Sequence, residues 1–385
     1  MRLAFKLAYK NLMGAGLRTW LNVGVLAFVF LFIIFVQGFM NGWYQESQNE
    51  SVAWEYGNGQ LWHNGYDPYD PFTVQDGHGI LPPKKTKGLT PMLIRDGFVY
   101  PDGRMVATKI NGIQTSQKTL KIPTELLEKS TAEIPALIGK RMAESTKLKV
   151  GDQVLMRWRD SNGTFDANNI TIAGIFDTNV PNVDNSQIWL PYKKLEKMTG
   201  MENHASLFIA DENYQKEKLA GWNFQTQDDL LKGMRDLEEK DKMGGYILYV
   251  MLLSMALLAV FDTQVLSIFR RQKEIGSYIA LGMTRQQVLR LFTVEGSMYS
   301  ILAVMLGCIV GVPFLKYLEN IGIGMPEAVK EMGLPMAKRT FPDYGWHLII
   351  VTAILLIISV TLVSFMPARK ISKMDPVNAL KGKLQ

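Results

Sequence analysis

Apolar positions are spread unevenly along the 385-residue chain. One long apolar run covers about 20–40, a long stretch of mixed character follows, and three more runs lie close together at about 246–269, 291–317 and 346–365. Each has on the order of 20 mostly apolar residues, enough for a helix to cross a hydrocarbon core of about 30 Å. A soluble core helix is rarely apolar on every face over such a length. The pattern predicts an α-helical membrane protein with four transmembrane helices, at 19–42, 246–269, 291–317 and 346–366. Between the first two lies a large domain, 43–245. Short loops cover 270–290 and 318–345, and terminal segments cover 1–18 and 367–385. The first run follows a basic segment, as in a signal peptide. It is too long, however, and ends in QGFMNGWYQE with no small-x-small cleavage site, so it reads as a retained anchor.

Within 43–245 the period changes. Short β-type runs at 60–63, 154–158, 170–175, 187–190 and 207–209 are punctuated by turn residues at 160–163, 177–185 and 64–83. Helical patterns fit near 140–148 and 192–198. A charged helical run, 228–242, feeds straight into the second span, and 43–54 prolongs the first. The domain reads as α+β, a mixed-sheet head carried on two helical stalks.

Hydrophobic residues make up 47% of the chain, yet mean hydropathy is only +0.02, because the polar domain averages against the spans. Charge is segregated as well. Residues 1–18 carry Arg2, Lys6, Lys10 and Arg18 and no acid. The 270–290 loop carries Arg270, Arg271, Lys273, Arg285 and Arg290 against Glu274. The 367–385 tail carries Arg369, Lys370, Lys373, Lys381 and Lys383 against Asp375. These three segments are strongly positive although the whole chain is only +6, so the remainder is net acidic. Basic short loops stay in the cytoplasm. Both termini and the 270–290 loop are therefore placed inside and the large domain outside, making it extracytoplasmic. The sequence pI of about 9.1 follows from this topology and from membrane-surface charge. No basic segment is interleaved with exposed aromatics as a nucleic-acid groove requires, so nucleic acid is not an expected partner.

Candidate chemistry is sparse. His63, His78, His204 and His347 show no metal-ligand spacing, so no metal site is expected. No G-x-S-x-G, Ser/His/Asp set or G-x-x-x-x-G-K-[ST] loop occurs, so no catalytic residue is assigned and ATP would have to be held by another chain. The single cysteine, Cys308, lies in the third span and reads as packing. Aromatics crowd the segment after the first span: Trp43, Tyr44, Trp54, Tyr56, Trp62, Tyr66, Tyr69 and Phe72. They fit either an apolar surface that receives an acyl chain, or an interfacial belt plus ordinary core. Asp262, with Gln264 beside it, lies in the second span, and Glu295 lies at the cytoplasmic edge of the third. Ionisable groups at such depths suit a proton relay, or face the bundle or interfacial water. Ser300, Ala303, Gly307 and Gly311 form a small-residue row ending in G-x-x-x-G, suited to packing within the subunit or to dimerisation.

The 270–296 segment, RRQKEIGSYIALGMTRQQVLRLFTVEG, has a basic start, an apolar turn over 275–281, a break at Gly282 and an amphipathic run into the third span. A short helix along the membrane face can dock in a partner's groove; the alternative is a plain basic connector. This segment resembles the signature of MacB/FtsX-type ABC transporter permeases. The tail MPARKISKMDPVNALKG and the start LAYKNLMGAGLRTWLNV resemble that family's terminal motifs, the latter as an amphipathic helix over 1–18. In the head, GNGQLWHNGY, IGKRMAESTKLKVGDQV and ITIAGIFDTNVPNVDNSQIWLPYKKLEKMTG look most like the lipoprotein-releasing LolC/LolE branch. The chain departs from the family in two places. Asp262 stands where members often have Asn, and the turn over 159–168 is short where one branch projects a chaperone-binding hairpin.

The resemblance implies a non-catalytic permease subunit of the bacterial inner membrane. Its partners would be ABC ATPase subunits, which hold ATP and Mg, a second permease subunit (identical or paralogous), a lipoprotein or other amphiphilic cargo and a periplasmic acceptor. Motion of the ATPases would pass through the coupling loop to the heads and expel the cargo. Coupling residues would be Arg271, Lys273, Glu274, Ile275, Gly276, Ile279, Leu281 and Gly282, with Glu274 pairing a basic ATPase residue and Ile275, Ile279 and Leu281 filling its groove. Candidate substrate-facing residues are Phe39, Trp43, Tyr44, Tyr249 and Met255. An FtsX-like regulator that activates an external cell-wall hydrolase, and a membrane scaffold that needs no ATPase, are the competing functions.

Overall fold

A computed structural model describes residues 16–324 and 339–371. The amphipathic N-terminal helix expected over 1–18 and the tail motif past residue 371 lie almost wholly outside the described residues. Helix α1 (Leu17–Ser51) opens the described chain and ends in a π turn, Val52–Tyr56. The chain divides into a β-rich unit, Tyr44–Leu237, and a helical unit built from what precedes and follows it.

The β-rich unit contains β1 (Gln60–His63), β2 (Gly79–Ile80), β3 (Leu89–Val99), β4 (Val106–Ile113), α2 (Glu125–Lys129), β5 (Pro135–Gly139) and α3 (Lys140–Thr146). It continues with β6 (Gln153–Arg159), β7 (Phe165–Phe176), α4 (Pro181–Asp184), β8 (Gln187–Pro191), α5 (Tyr192–Thr199), β9 (His204–Ala205), β10 (Leu207–Ala210) and β11 (Trp222–Gln225). The main sheet runs β11–β1–β10–β3–β4–β8–β5–β7–β6, and β6 returns to pair with β3. Six strands therefore close into a ring, and three form a wing hinged on β3. Closure leaves those six strands without a free edge.

Strand β3 serves both parts. Its first half pairs antiparallel with β10 over Leu89–Met92, and its last residues pair with β6 at Gly97, Phe98 and Val99. Gly97 makes the closure possible: a Cβ there would stand 2.5 Å from Ile110 Cδ1 and 2.7 Å from the Arg157 carbonyl. Side chains alternate about the ring wall as strand geometry requires. Leu93, Ile110, Met156, Ile172 and Ile188 fill one buried cluster, and Ile94, Ile113, Leu137, Trp189 and Ile209 fill another. The turn expected over 159–168 is shorter. Residues 165–168 already belong to β7, where Arg157 stacks 4.2 Å from the Phe165 ring centroid. Strands β3, β4, β5 and β11 were absent from the sequence pattern.

In the helical unit, α6 runs unbroken from Gln227 to Arg270. Next come α7 (Gln272–Ala280) and α8 (Arg285–Leu306), which passes through a π turn at Gly307–Gly311 into α9 (Val312–Ile321). A two-residue ladder, β12 (Ile323–Gly324) with β13 (Arg339–Thr340), precedes α10 (Trp346–Ile371). Four helical stretches are long and apolar enough to cross a membrane: Thr19–Tyr56, Gln227–Arg270, Arg285–Ile321 and Trp346–Arg369. Their shared core centres on Leu26, Phe30 and Ile34 of α1 with Leu291, Ala303 and Val360. Close helix contact rests on missing side chains. Gly307 and Gly311 receive Phe30 and Leu31 of α1, and Gly296 receives Ser364 of α10.

Candidate functional site

The segment from Arg270 to Gly296 folds as a tight corner. Backbone at Arg271 leaves the helical region (φ −104°, ψ 19°), so α6 ends there and α7 starts in a new direction. The Arg271 guanidinium holds three elements together. Its Nε donates to Glu274 Oε2 at 2.8 Å, and its Nη1 donates to both Glu295 carboxylate oxygens at 2.9–3.0 Å. It also lies 5.2 Å from the Phe292 ring centroid. A charge-assisted hydrogen bond to a buried carboxylate is stronger than a neutral one. Beneath it, Ile275, Ile268, Val288, Phe292 and Ala368 pack as a separate small core.

The second bend is equally built. Gly282 takes φ +98°, which suits glycine. Thr284 then caps α8 in a reciprocal box: its hydroxyl accepts from Gln287 N–H and its own N–H donates to Gln287 Oε1 at 2.8 Å. Between the bends, Leu281 stands 84% exposed at the tip. Lys273, Glu274 and Gly282 are exposed, and Ile279 is partly so.

Four of the expected coupling residues sit differently from their expected roles. Ile275 is 1% exposed and lies in the corner's own core, so it is not available to a partner's groove. Gly276 is buried with it, and Arg271 is committed inside the chain. Glu274 keeps an exposed carboxylate but already has Arg271 as its partner. Leu281 is the apolar side chain the corner presents outward.

Residues 246–376 match the family model described as FtsX-like permease C-terminal, so the corner lies within the matched region. A macrolide export ATP-binding/permease protein MacB of Wolinella succinogenes is 27% identical over 32% of this chain and 16% of its own length. An uncharacterized ABC transporter permease of Methanocaldococcus jannaschii is 25% identical over 32% of this chain and 29% of its own. A lipoprotein-releasing system transmembrane protein LolC of Xylella fastidiosa is 24% identical over 65% of each. The chain thus spans less than two thirds of these relatives. By these matches the chain is similar to ABC transporter permeases of the MacB/FtsX type.

Elsewhere in the chain the expected residues separate. Glu295 is not a free relay group; it is buried and bound to Arg271. Gln264 is buried, with its Nε2 near Gly296, whereas Asp262 is exposed on α6, so it does not face the bundle. Asp262 sits in a stripe of exposed side chains three or four residues apart: Met251, Met255, Leu258, Leu266 and Phe269. Ser300 and Ala303 are fully buried, and Gly307 and Gly311 lie against Phe30 and Leu31 of α1.

Among the substrate-facing candidates, Met255 is exposed. Phe39 stacks on Phe35 at 6.4 Å, and Trp43 and Tyr249 are partly buried. Tyr44 is buried, so it does not face a substrate. The aromatic cluster also disperses, since Trp54 stacks on Phe176 in the β-domain core while Tyr69 and Phe72 are exposed. Two features escaped the sequence reading. Gly38 and Gly42 of α1 form a second G-x-x-x-G, onto which Tyr344 and Phe341 pack. Three of the histidines also gather: the Nδ1 atoms of His78 and His204 are 2.9 Å apart, and His63 lies close by. Among the described residues no group of three or more side chains is arranged to hold a metal ion.

Proposed function

We propose that this permease is the membrane subunit of a transporter that releases lipoproteins, or another amphiphile, from a bacterial inner membrane, driven by a separate ATPase. The observation that carries this reading is the Arg271 corner. One guanidinium binds the end of α6, the start of α7 and the wall of α8, so a push on α7 is shared by two membrane helices rather than absorbed by a loose loop. The basic residues at 270–290 support a cytoplasmic corner, on the side where an ATPase works, and an external β-domain. ATP and Mg stay on the ATPase. Leu281 and the exposed faces of Lys273 and Glu274 are the contact points. A second permease subunit, identical or related, packs along the exposed α6 stripe and covers Asp262, whose charge is costly against lipid. Kinship with LolC supports lipoprotein as the cargo.

The test is Leu281→Asp in the assembled complex. Stimulated ATP hydrolysis should fall at least about tenfold, because a charge replaces a hot-spot side chain in a desolvated groove. Folding should be unchanged because Leu281 touches little of its own chain. Full ATPase stimulation with the variant would remove the corner from the coupling path.

A further inference from the structure

The β-domain contains a half-open cavity of about 990 Å³. Its floor is a face of β3, β4 and β8 in strict register: Asp96 lies opposite Lys109, which lies beside Gln187, and the next row is Ile94, Asn111 and Trp189. The π turn after α1 contributes Glu55 and Tyr56, the loop after β1 contributes Tyr66 and Tyr69, and α4 contributes Asn182. Single π turns recur at functional sites, because the inserted residue turns side chains out of the regular helical face.

Three properties define what the cavity suits. Its walls are aromatic, with Tyr56, Trp62, Tyr66, Tyr69, Phe98 and Trp189 among the lining residues. Its charges lean acidic, with Glu55, Asp96 and Asp229 against Lys109. Asp96 and Lys109 face each other across the ladder, and burial pushes the Glu55 carboxyl up to about 7, against an opposing hydrogen bond from Asn182 and the charge of Lys109. No arginine lines it. Its hydrogen bonding is incomplete: Trp62 Nε1 donates to Gln60 Oε1 at 2.7 Å, but Trp189, 2% exposed, has an indole N–H with no protein acceptor. A buried donor left unmatched costs about 1–3 kcal/mol.

An acyl chain would desolvate Asp96, Lys109, Asn111 and Gln187 without replacing their hydrogen bonds. An anion would meet the carboxyls of Glu55, Asp96 and Asp229, and a cation would meet the Lys109 ammonium among them. A sugar ring presents apolar C–H faces to aromatic walls and hydroxyls that both donate and accept. We propose that this cavity is a binding site for a short neutral oligosaccharide, stacked on the aromatic walls and donating to Asp96 and Glu55. The site stands apart from the coupling corner and does not depend on it.

The full-length chain in lipid nanodiscs free of glycoside detergent is titrated with chitotriose and with maltotriose, followed by tryptophan fluorescence. In parallel it is mixed with purified cell-wall sacculi. Saturable binding of either soluble sugar assigns a free oligosaccharide, and retention on sacculi alone assigns a wall glycan; both support the proposal. Tyr69→Ala, at an 85% exposed rim position where folding is not at stake, should weaken binding about tenfold. Absence of binding to all three probes, or equal binding by Tyr69→Ala and the parent, overturns the proposal. So does spermidine binding that Tyr69→Ala abolishes, which would make this a cation site.

Discussion

Helices α1 and α6 are nearly interchangeable as sequence: each holds a long apolar window and continues past it as a polar helix. In the fold they differ. Inside the chain, 44% of the α1 window is buried, with Leu26, Phe30 and Ile34 fully enclosed, but only 17% of the α6 window is. Alpha-helical hydrophobicity alone cannot tell the two situations apart, because lipid and protein interior are equally apolar neighbours. Small residues on the facing helix do distinguish them. Gly307 and Gly311 of the π turn let α1 come close, and no comparable partner exists for the outward stripe of α6 among the described residues.

The contrast can be broken most strongly at a buried position. Phe30→Ala should lower the unfolding free energy by about 3–5 kcal/mol, the range for emptying an aromatic site in a closed core. Leu258→Ala should change it by less than about 0.5 kcal/mol, as for a surface position. Thermal unfolding in nanodiscs reads both, and equal losses would abolish the distinction between the helices. A medium effect is expected on association. With Cys308→Ser removing the chain's one native thiol, Leu258→Cys should cross-link two permease subunits under mild oxidation, whereas a cysteine at Phe30 should not. Monomers from both variants would leave the α6 stripe facing lipid.

The smallest effect concerns the β-domain, where polar groups are enclosed rather than turned outward. Burial, with the neighbouring His204 ring adding, holds His63 and His78 below the usual imidazole range; Arg95 adds at His78. The unfolded chain therefore takes up more protons than the folded one once the pH drops below about 6.5. Their contribution is fully present above that pH and is lost as pH falls through it toward the folded-state values. The melting midpoint of the β-domain should decline between about pH 7.5 and 5.5, and His78→Gln should flatten the decline. An unchanged slope in the variant would show that the cluster titrates freely.

What the sequence revealed follows the range over which each signal acts. The spans are legible because an apolar window needs no knowledge of its neighbours. Strands β1, β6, β8 and β10 are legible because their burial alternates or runs continuously over a short stretch. Strand β3 hides behind Pro91, Arg95, Asp96 and Gly97, and β4 behind Thr108, Lys109 and Asn111, because these face a polar cavity or a partner strand known only from the fold. In the corner, the apolar positions 275, 279 and 281 look alike in the sequence. Only three-dimensional placement separates Ile275, in its own small core, from Leu281 at the tip. His63, His78 and His204 are likewise far apart in sequence and adjacent in space.

Strand β1 has a consequence for how the chain is made. Its two neighbours, β10 and β11, pair with the same four-residue strand but lie roughly 150 residues downstream, a separation that slows closure. During synthesis α1 has passed into the bilayer long before either neighbour exists. Strand β1 therefore waits as an unpaired edge until Trp222–Gln225 is produced, just ahead of α6. The six-stranded ring has all its strands by Pro191, whereas the wing is completed only as the second membrane helix arrives.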